Sequence, residues 1–393
     1  MRIVIDLTSL ADNFTGIERY ALNIARALIR QDQKQEHTYI LLFKKEIHIR
    51  MQEFLTWKNV KCRVLPTAGK FFFAQGILPF YLYGIRADAY LFLAFQSPVL
   101  FRKRGIFNTI HDLTCWDCPE TMKKKMEWYF RISIRNALQV SKGILTISVF
   151  TQKRILEKFH YDPERLTLAY CGISDVFQEY VRDREKGRGD RALEEQHRQK
   201  QERIRQTYQL PERYLLCLAT LEPRKNLPFL VSVYEELLEE GKIDLPLVLA
   251  GRKGWKMEAF LDSIRQSHRD RIRITGFIED EDLPYVYDMA ECFLFPSVYE
   301  GFGMPPLEAV AVGTPVLSSD AASLPEVLGR QAEYFRSGDR QELKAGILRA
   351  ARGELLRQES GDPGEWERQK EMFCWESAAK QVALGLGISR RQS

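Results

Sequence analysis

The sequence predicts an α/β protein made of two parallel sheets in tandem. Short β-branched apolar runs alternate with stretches of helical periodicity, the alternation breaks at one highly charged segment, and it then starts again. At 393 residues the chain is also too long for one ordinary core and suits two domains.

In the first half, "RIVIDL" reads as the opening strand, and "GIERYALNIARALIRQ" places Ile17, Tyr20, Ala21, Ile24 and Leu28 at helical spacing. "TYILLF", "VKCRVLP", "DAYLFL", "IFNTIHD" and "GILTIS" read as further strands, with helical stretches between several of them. Short links in such an alternation imply a doubly wound parallel sheet. From Arg182 to Arg205 nine basic and six acidic residues stand with almost nothing apolar, which reads as a solvated linker helix. The rhythm then restarts with "YLLCLAT", the helix "NLPFLVSVYEELLEE", and the strands "LPLVLAG", "IRITGF", "CFLFPS" and "TPVLSS". The expected organisation is a first domain over residues 1–180, a charged linker at 181–206, a second domain at 207–370, and a helix at 371–393 returning to the first domain. Two such domains would face one another across a cleft, with ligands outside the carboxyl ends of the strands.

Bulk composition narrows the function classes. With 45% hydrophobic and 28% charged residues the chain is neither disordered nor fibrous. A net charge of +5 permits an anionic ligand or an acidic membrane surface, but it is mild and shows no clustered basic face of the nucleic-acid kind. Seven cysteines include one close pair, Cys115 and Cys118 in "CWDC". No second pair and no thioredoxin-like context accompany it, so reduced thiols in a cytoplasmic protein are the expectation. The opening apolar run is too short for a secretory leader, and nowhere do 18 apolar residues run uninterrupted. The nearest approach, residues 71–95, is broken by Gly76, Pro79, Gly84, Arg86 and Asp88; it reads first as a core helix followed by a buried strand, and alternatively as an apolar, aromatic surface dipping into a membrane. Residues 120–138 interleave Lys123 to Lys125, Arg131 and Arg135 with Met126, Trp128, Tyr129 and Phe130. That pattern fits a helix lying on an anionic bilayer at the inner face of the membrane, and equally a half-buried helix with a solvated face.

The chemistry concentrates after the second domain's strands. In "SVYEGFGMPPLEAVAVGTPV", residues 297–316, a loop leaves a buried strand and Pro305 and Pro306 open a helix that Gly313 closes. Gly301 and Gly303 admit a ligand close to the backbone, and the helix N-terminus is a ready anion site. Glu300 on the loop and Glu308, expected in the first helical turn, can accept hydrogen bonds from sugar hydroxyls. Alone, the pair reads equally well as an exposed loop residue and a dipole-favoured helix residue. "LEPRKN" adds Arg224 and Lys225 at another strand end, two cations suited to a diphosphate, with Asn226 as the expected helix cap. Gly251, Gly276 and Phe277 stand at further strand ends, where backbone groups can reach a nucleotide.

These residues together resemble the GT-B retaining glycosyltransferases of family 4, which include bacterial mannosyl- and glucosyltransferases. The E-x7-E signature is matched by Glu300 and Glu308, the diphosphate pair by Arg224 and Lys225, and "HDLT" resembles the segment that carries the family's donor-pocket histidine, here His111. The resemblance spans nearly the whole chain, and its most specific motif is the 297–316 stretch. It implies transfer of a hexosyl group from a nucleotide diphosphate sugar with retention and without cofactor or required metal. Arg224 and Lys225 would neutralise the leaving diphosphate, and amides around Phe302, Gly303 and Met304 would hold sugar and phosphate. Glu300 would take sugar hydroxyls and Glu308 the ribose, while His111 contacts the sugar with Asp112 orienting its ring. "GIERY" resembles the "GIGRY" loop of mannosyltransferase-like members, which puts Gly16 and Arg19 near the phosphate or acceptor. The paired glycines usual there are reduced to Gly16, and Cys171 replaces the usual Asn in "YCGIS". The implied partners are GDP-mannose or a UDP-sugar and a glycan or polyprenyl-linked acceptor in surface polysaccharide synthesis. A non-catalytic nucleotide-sugar-binding module is the rival, and five intact site residues speak against it. A phosphorylase or epimerase of the same fold would carry a different lysine, carboxylate and histidine set.

Overall fold

A computed structural model describes residues 1–10, 16–252, 260, 264, 268–355 and 363–388. The chain divides into two compact units, Met1–Gly172 with Glu371–Ser393, and Ile173–Lys370.

The first unit holds a wholly parallel sheet of seven strands. They are β1 (Arg2–Asp6), β2 (Thr38–Lys44), β3 (Val60–Leu65), β4 (Ala89–Phe92), β5 (Ile106–Ile110), β6 (Gly143–Thr146) and β7 (Leu166–Leu168), in the order β3-β2-β1-β4-β5-β6-β7. Strands β4, β5 and β6 are buried along their whole length, as a parallel sheet covered on both faces requires. Edge strand β3 instead exposes Lys61 and Arg63, charges that discourage pairing with another chain. Helix α1 (Gly16–Gln31) follows β1 and buries Tyr20, Ile24 and Leu28. The last helix among the described residues, Trp375–Leu386, packs on α1 and against β7. Its closeness is built in by glycines: a Cβ on Gly385 would lie 2.6 Å from Thr167, and one on Gly172 would lie 2.6 Å from the Trp375 backbone. Gly172 therefore serves a close approach more than a turn.

The second unit holds β8 (Leu215–Leu218), β9 (Leu247–Ala250), β10 (Ile272–Gly276), β11 (Cys292–Phe295), β12 (Val316–Ser319) and β13 (Glu333–Phe335). These too are parallel, in the order β10-β9-β8-β11-β12-β13. The charged stretch expected as a linker forms parts of two helices, Asp175–Gly187 and Arg191–Tyr208, which belong to this unit. They are tied to it by the Arg184–Asp288 ion pair at 2.5 Å and by Tyr208, whose hydroxyl donates to Asp282 at 2.9 Å.

In each sheet the strand order reverses once, between β1 and β4 in the first and between β8 and β11 in the second. At such a reversal the loops part, and their carboxyl ends leave a crevice for ligand. Both candidate clusters below lie at those two places.

Candidate active site

In the second unit, the loop after β8 turns through a short 3₁₀ segment, Pro223–Lys225, and Asn226 then takes left-handed backbone with φ of 54°. Asn226 occupies the cap position of the helix Leu227–Glu239 but makes no side-chain capping bond. Its place rests on the tolerance of Asn for positive φ, and the expected cap is absent. The loop after β11 carries Glu300 to the same point. Arg224 Nη1 donates to Glu300 Oε2 at 2.8 Å and to the Tyr299 carbonyl at 3.0 Å, while Lys225 Nζ donates to Glu300 Oε1 at 2.6 Å. Three residues expected in the site thus form one ion cluster, with Lys225 and Glu300 both buried.

Burial pushes the Glu300 carboxyl up, but the neighbouring charges of Arg224 and Lys225 outweigh it and hold its pKa below the ordinary 4.5. A fourth member was not singled out from the sequence. Glu222, buried in the same turn, accepts from Arg224 Nε at 3.2 Å and Nη2 at 2.9 Å through Oε1. The cluster thereby pairs two cations with two carboxylates, which is what permits four charges to be held away from bulk water. The signal was present in "LEPRKN", but nothing in a linear reading says that Glu222 turns back onto Arg224.

Helix Met304–Val312 follows the Glu300 loop, opened by Gly303 and its φ of 101° and closed by Gly313. A Cβ on Gly303 would also lie 2.6 Å from the Leu324 side chain, so space and backbone both require glycine there. Phe302, Gly303 and Met304 thus lead directly into the helix N-terminus. Glu308 lies in the second turn, a correction to its expected first-turn place, because the helix already starts at Met304. It is buried and accepts from the Tyr287 hydroxyl at 3.3 Å. Ser323 pins the loop from beneath, its hydroxyl 3.0 Å from both the Glu300 and Phe302 carbonyls.

Gly251 and Gly276 end β9 and β10 and are joined by a backbone bond of 2.8 Å from the Gly251 N–H. With φ of 125°, a Cβ on Gly251 would lie 1.9 Å from the Ala219 carbonyl oxygen, so strand packing already demands that glycine. Phe277 lies beneath the Arg252 guanidinium, 5.4 Å from its ring centre.

The first unit assembles a different cluster. His111, just after β5, is buried and its Nε2 lies 2.9 Å from the Leu93 carbonyl beyond β4. A carbonyl only accepts, so Nε2 carries the proton and Nδ1 of the neutral ring remains an acceptor. Burial lowers the His111 pKa, against the opposing pull of the Leu93 bond and the Asp112 charge. The expected orienting role of Asp112 falls to Leu93: the Asp112 carboxylate accepts instead from the Thr114 N–H at 3.0 Å and starts the next helix. Tyr20 of α1 meets the imidazole edge-on at 5.2 Å. Gly16 is the first residue of α1, next to residues 11–15, which lie outside the described ones. Asp6 ends β1 at the reversal itself and also escaped the sequence reading; its Oδ1 accepts from Thr8 N–H at 3.0 Å and hydroxyl at 2.7 Å.

Neither thiol of "CWDC" is in a disulfide. Burial pushes the Cys115 pKa up to about 12, which leaves a protonated, unreactive thiol at neutral pH. Among the described residues no His, Cys, Asp and Glu group is arranged to hold a metal ion.

Two parallel Rossmann-like sheets, each with its polar cluster at the strand-order reversal, define the GT-B class of fold. The crystal structure of Anabaena Alr3699/HepE in complex with UDP and glucose shares that fold over 99% of this chain and 100% of its own, with a TM-score of 0.68 at 14% identity. Residues 199–365 match the model for glycosyl transferases group 1. The Escherichia coli O-antigen chain mannosyltransferase B is 33% identical over 276 residues, 70% of this chain and 68% of that one. The serotype-specific mannosyltransferase WbdA of the same organism is 33% identical over 185 residues, 46% of this chain but only 22% of that longer protein. The chain belongs to the group 1 glycosyltransferases, and it is an enzyme that transfers sugars.

Proposed function

We propose that the protein moves a hexosyl group, with retention, from a nucleotide diphosphate sugar to a glycan or lipid-linked acceptor in surface polysaccharide synthesis. The observation that carries this reading is the Arg224–Lys225–Glu300 cluster at the carboxyl ends of β8 and β11. A leaving diphosphate needs positive charge fixed in advance, because reorganising solvent during the reaction is what raises the barrier. Arg224 pairs with Glu222 and Glu300 and Lys225 with Glu300, and an incoming diphosphate would draw both cations from Glu300. Once released, Glu300 is an acceptor for sugar hydroxyls. Glu308 takes the ribose, and the amides of Phe302 to Met304 take the phosphate at the helix start. In the first unit, Nδ1 of neutral His111 accepts from a sugar hydroxyl. The two cations take the charge for which other transferases use a divalent ion, so no metal is required. Retention rests on the resemblance of the Glu300–Glu308 spacing, and the mannosyl preference on "GIERY" and on the mannosyltransferase relatives. The complex of Alr3699/HepE with UDP and glucose supports a nucleotide-linked donor.

The test is release of nucleoside diphosphate from GDP-mannose and UDP-sugars with a polyprenyl-linked acceptor, read with the anomeric configuration of the product by NMR. Turnover that persists with chelator is expected. An inverted product sinks the retaining assignment, and binding without turnover across all donors and acceptors sinks the transfer reading.

A further inference from the structure

The segment expected as a core helix from residue 71 onward is only half core. It runs as a short helix, a π-turn at Phe73–Ile77, and the helix Leu78–Gly84. Phe73, Leu78 and Leu82 face inward, whereas Phe71, Phe72 and Phe80 are 71%, 66% and 76% exposed. Between Phe71 and Gly84 there is no charged residue at all. Monomeric surfaces seldom leave such a stripe of aromatic rings in water.

The stripe continues onto the helix Lys124–Val140 and the loop near Leu100. The Phe71 ring meets Tyr129 edge-on at 6.2 Å, and Gln75 donates to the Tyr129 hydroxyl at 3.2 Å. Tyr83 donates to the Leu100 carbonyl at 2.8 Å. Trp128 and Leu100 add further exposed apolar surface. Around this surface stand Lys123, Lys124, Lys125, Arg86 and Arg104, all exposed. Among the described residues none of these five forms an ion pair, and Lys124 and Lys125 lie one turn before Trp128.

We infer that this face of the first unit docks on the surface of an anionic lipid bilayer. Aromatic rings beside cations match the boundary between headgroups and acyl chains, where rings are buried and lysines meet lipid phosphate. A second copy of the chain is the poorer occupant, because a two-fold contact would set each lysine cluster near its own image. Among the described residues no helix is long and apolar enough to cross a membrane, so the contact is peripheral. The inference does not rest on the sugar donor, since binding is measured without turnover.

Sedimentation of the full chain with phosphatidylcholine vesicles, with and without phosphatidylglycerol, tests it. The wild type should sediment with the anionic vesicles at least about tenfold more than with neutral ones and be released by salt. A variant with Phe71, Phe72 and Phe80 changed to Ser should lose about tenfold or more on anionic vesicles, with its melting temperature and nucleotide binding unchanged. Changing Lys123, Lys124 and Lys125 to Gln should remove the preference for anionic lipid. Absence of wild-type binding, or undiminished binding by the Phe variant, overturns the inference. So does a wild-type dimer that the Phe variant converts to monomer while neither binds vesicles.

Discussion

The two strand-order reversals are built from opposite materials. That of the second unit gathers Arg224, Lys225, Glu300 and Glu222 into one largely buried network held mainly by ion pairs. That of the first unit places a neutral His111 on a backbone carbonyl, with Asp6 satisfied by Thr8. Buried charges balanced against one another respond strongly to an ionic ligand, because an arriving anion changes their partners. A neutral imidazole suits a hydroxyl and changes little when it binds. Under the proposed function, the contrast assigns developing charge to the second unit's cluster and hydroxyl recognition to the first unit's.

The largest effect should come from Arg224→Ala, which removes four donated bonds from the network. We expect kcat/KM to fall by about 10²- to 10³-fold, as for loss of a fixed donor to developing negative charge. An unchanged value would strip Arg224 of its diphosphate role. Stability sharpens the contrast next. Glu300→Ala leaves the buried Lys225 and the half-buried Arg224 without their shared partner and should cost about 3 kcal/mol in denaturant unfolding. His111→Ala loses one hydrogen bond and some packing, and should cost about 1–2 kcal/mol. Equal costs at the two sites would break the distinction.

Acid should separate the sites as well. Glu300 is held below its ordinary 4.5, so its stabilisation is complete above that pH and is lost as pH falls through the folded value. His111 is also lowered, from an ordinary 6.5, but it is a base. The unfolded chain binds a proton that the folded ring refuses, so stability begins to fall as pH drops below that value. His111→Gln should flatten the melting-temperature profile between about pH 6.5 and 5, and Glu300→Gln only below about pH 4.5. The reverse assignment of the two windows would mean that burial does not keep His111 neutral.

Much of this was legible in the chain because the strands are continuous apolar runs and the helices periodic. The two strands that escaped, β7 and β13, have three residues each, too few to show a period. Arg224, Lys225 and Glu300 were legible as residue types, whereas their meeting was not, since 75 positions separate Lys225 from Glu300. Glu308 was misplaced by one turn because a proline pair marks a helix start only loosely. The half-exposed segment Phe71–Gly84 stays open between core and membrane surface in the sequence because inward and outward rings alternate in one apolar run, and hydrophobicity without polar punctuation carries no direction.

The smallest effect belongs to Glu222, which touches no reacting group in this reading and acts through Arg224. Its Oε1 fixes the Nε and Nη2 edge of the guanidinium, leaving Nη1 for Glu300. Glu222→Gln keeps a carbonyl oxygen at that position and removes only the charge, so it should cost about tenfold in donor KM with kcat nearly kept. Glu222→Ala, which frees the guanidinium to swing, should lower kcat as well. A merely structural carboxylate would lower the melting temperature in both variants and leave the KM of the surviving folded enzyme unchanged. If that is the result, Arg224 is positioned by Glu300 and the Tyr299 carbonyl alone, and the network is three residues instead of four.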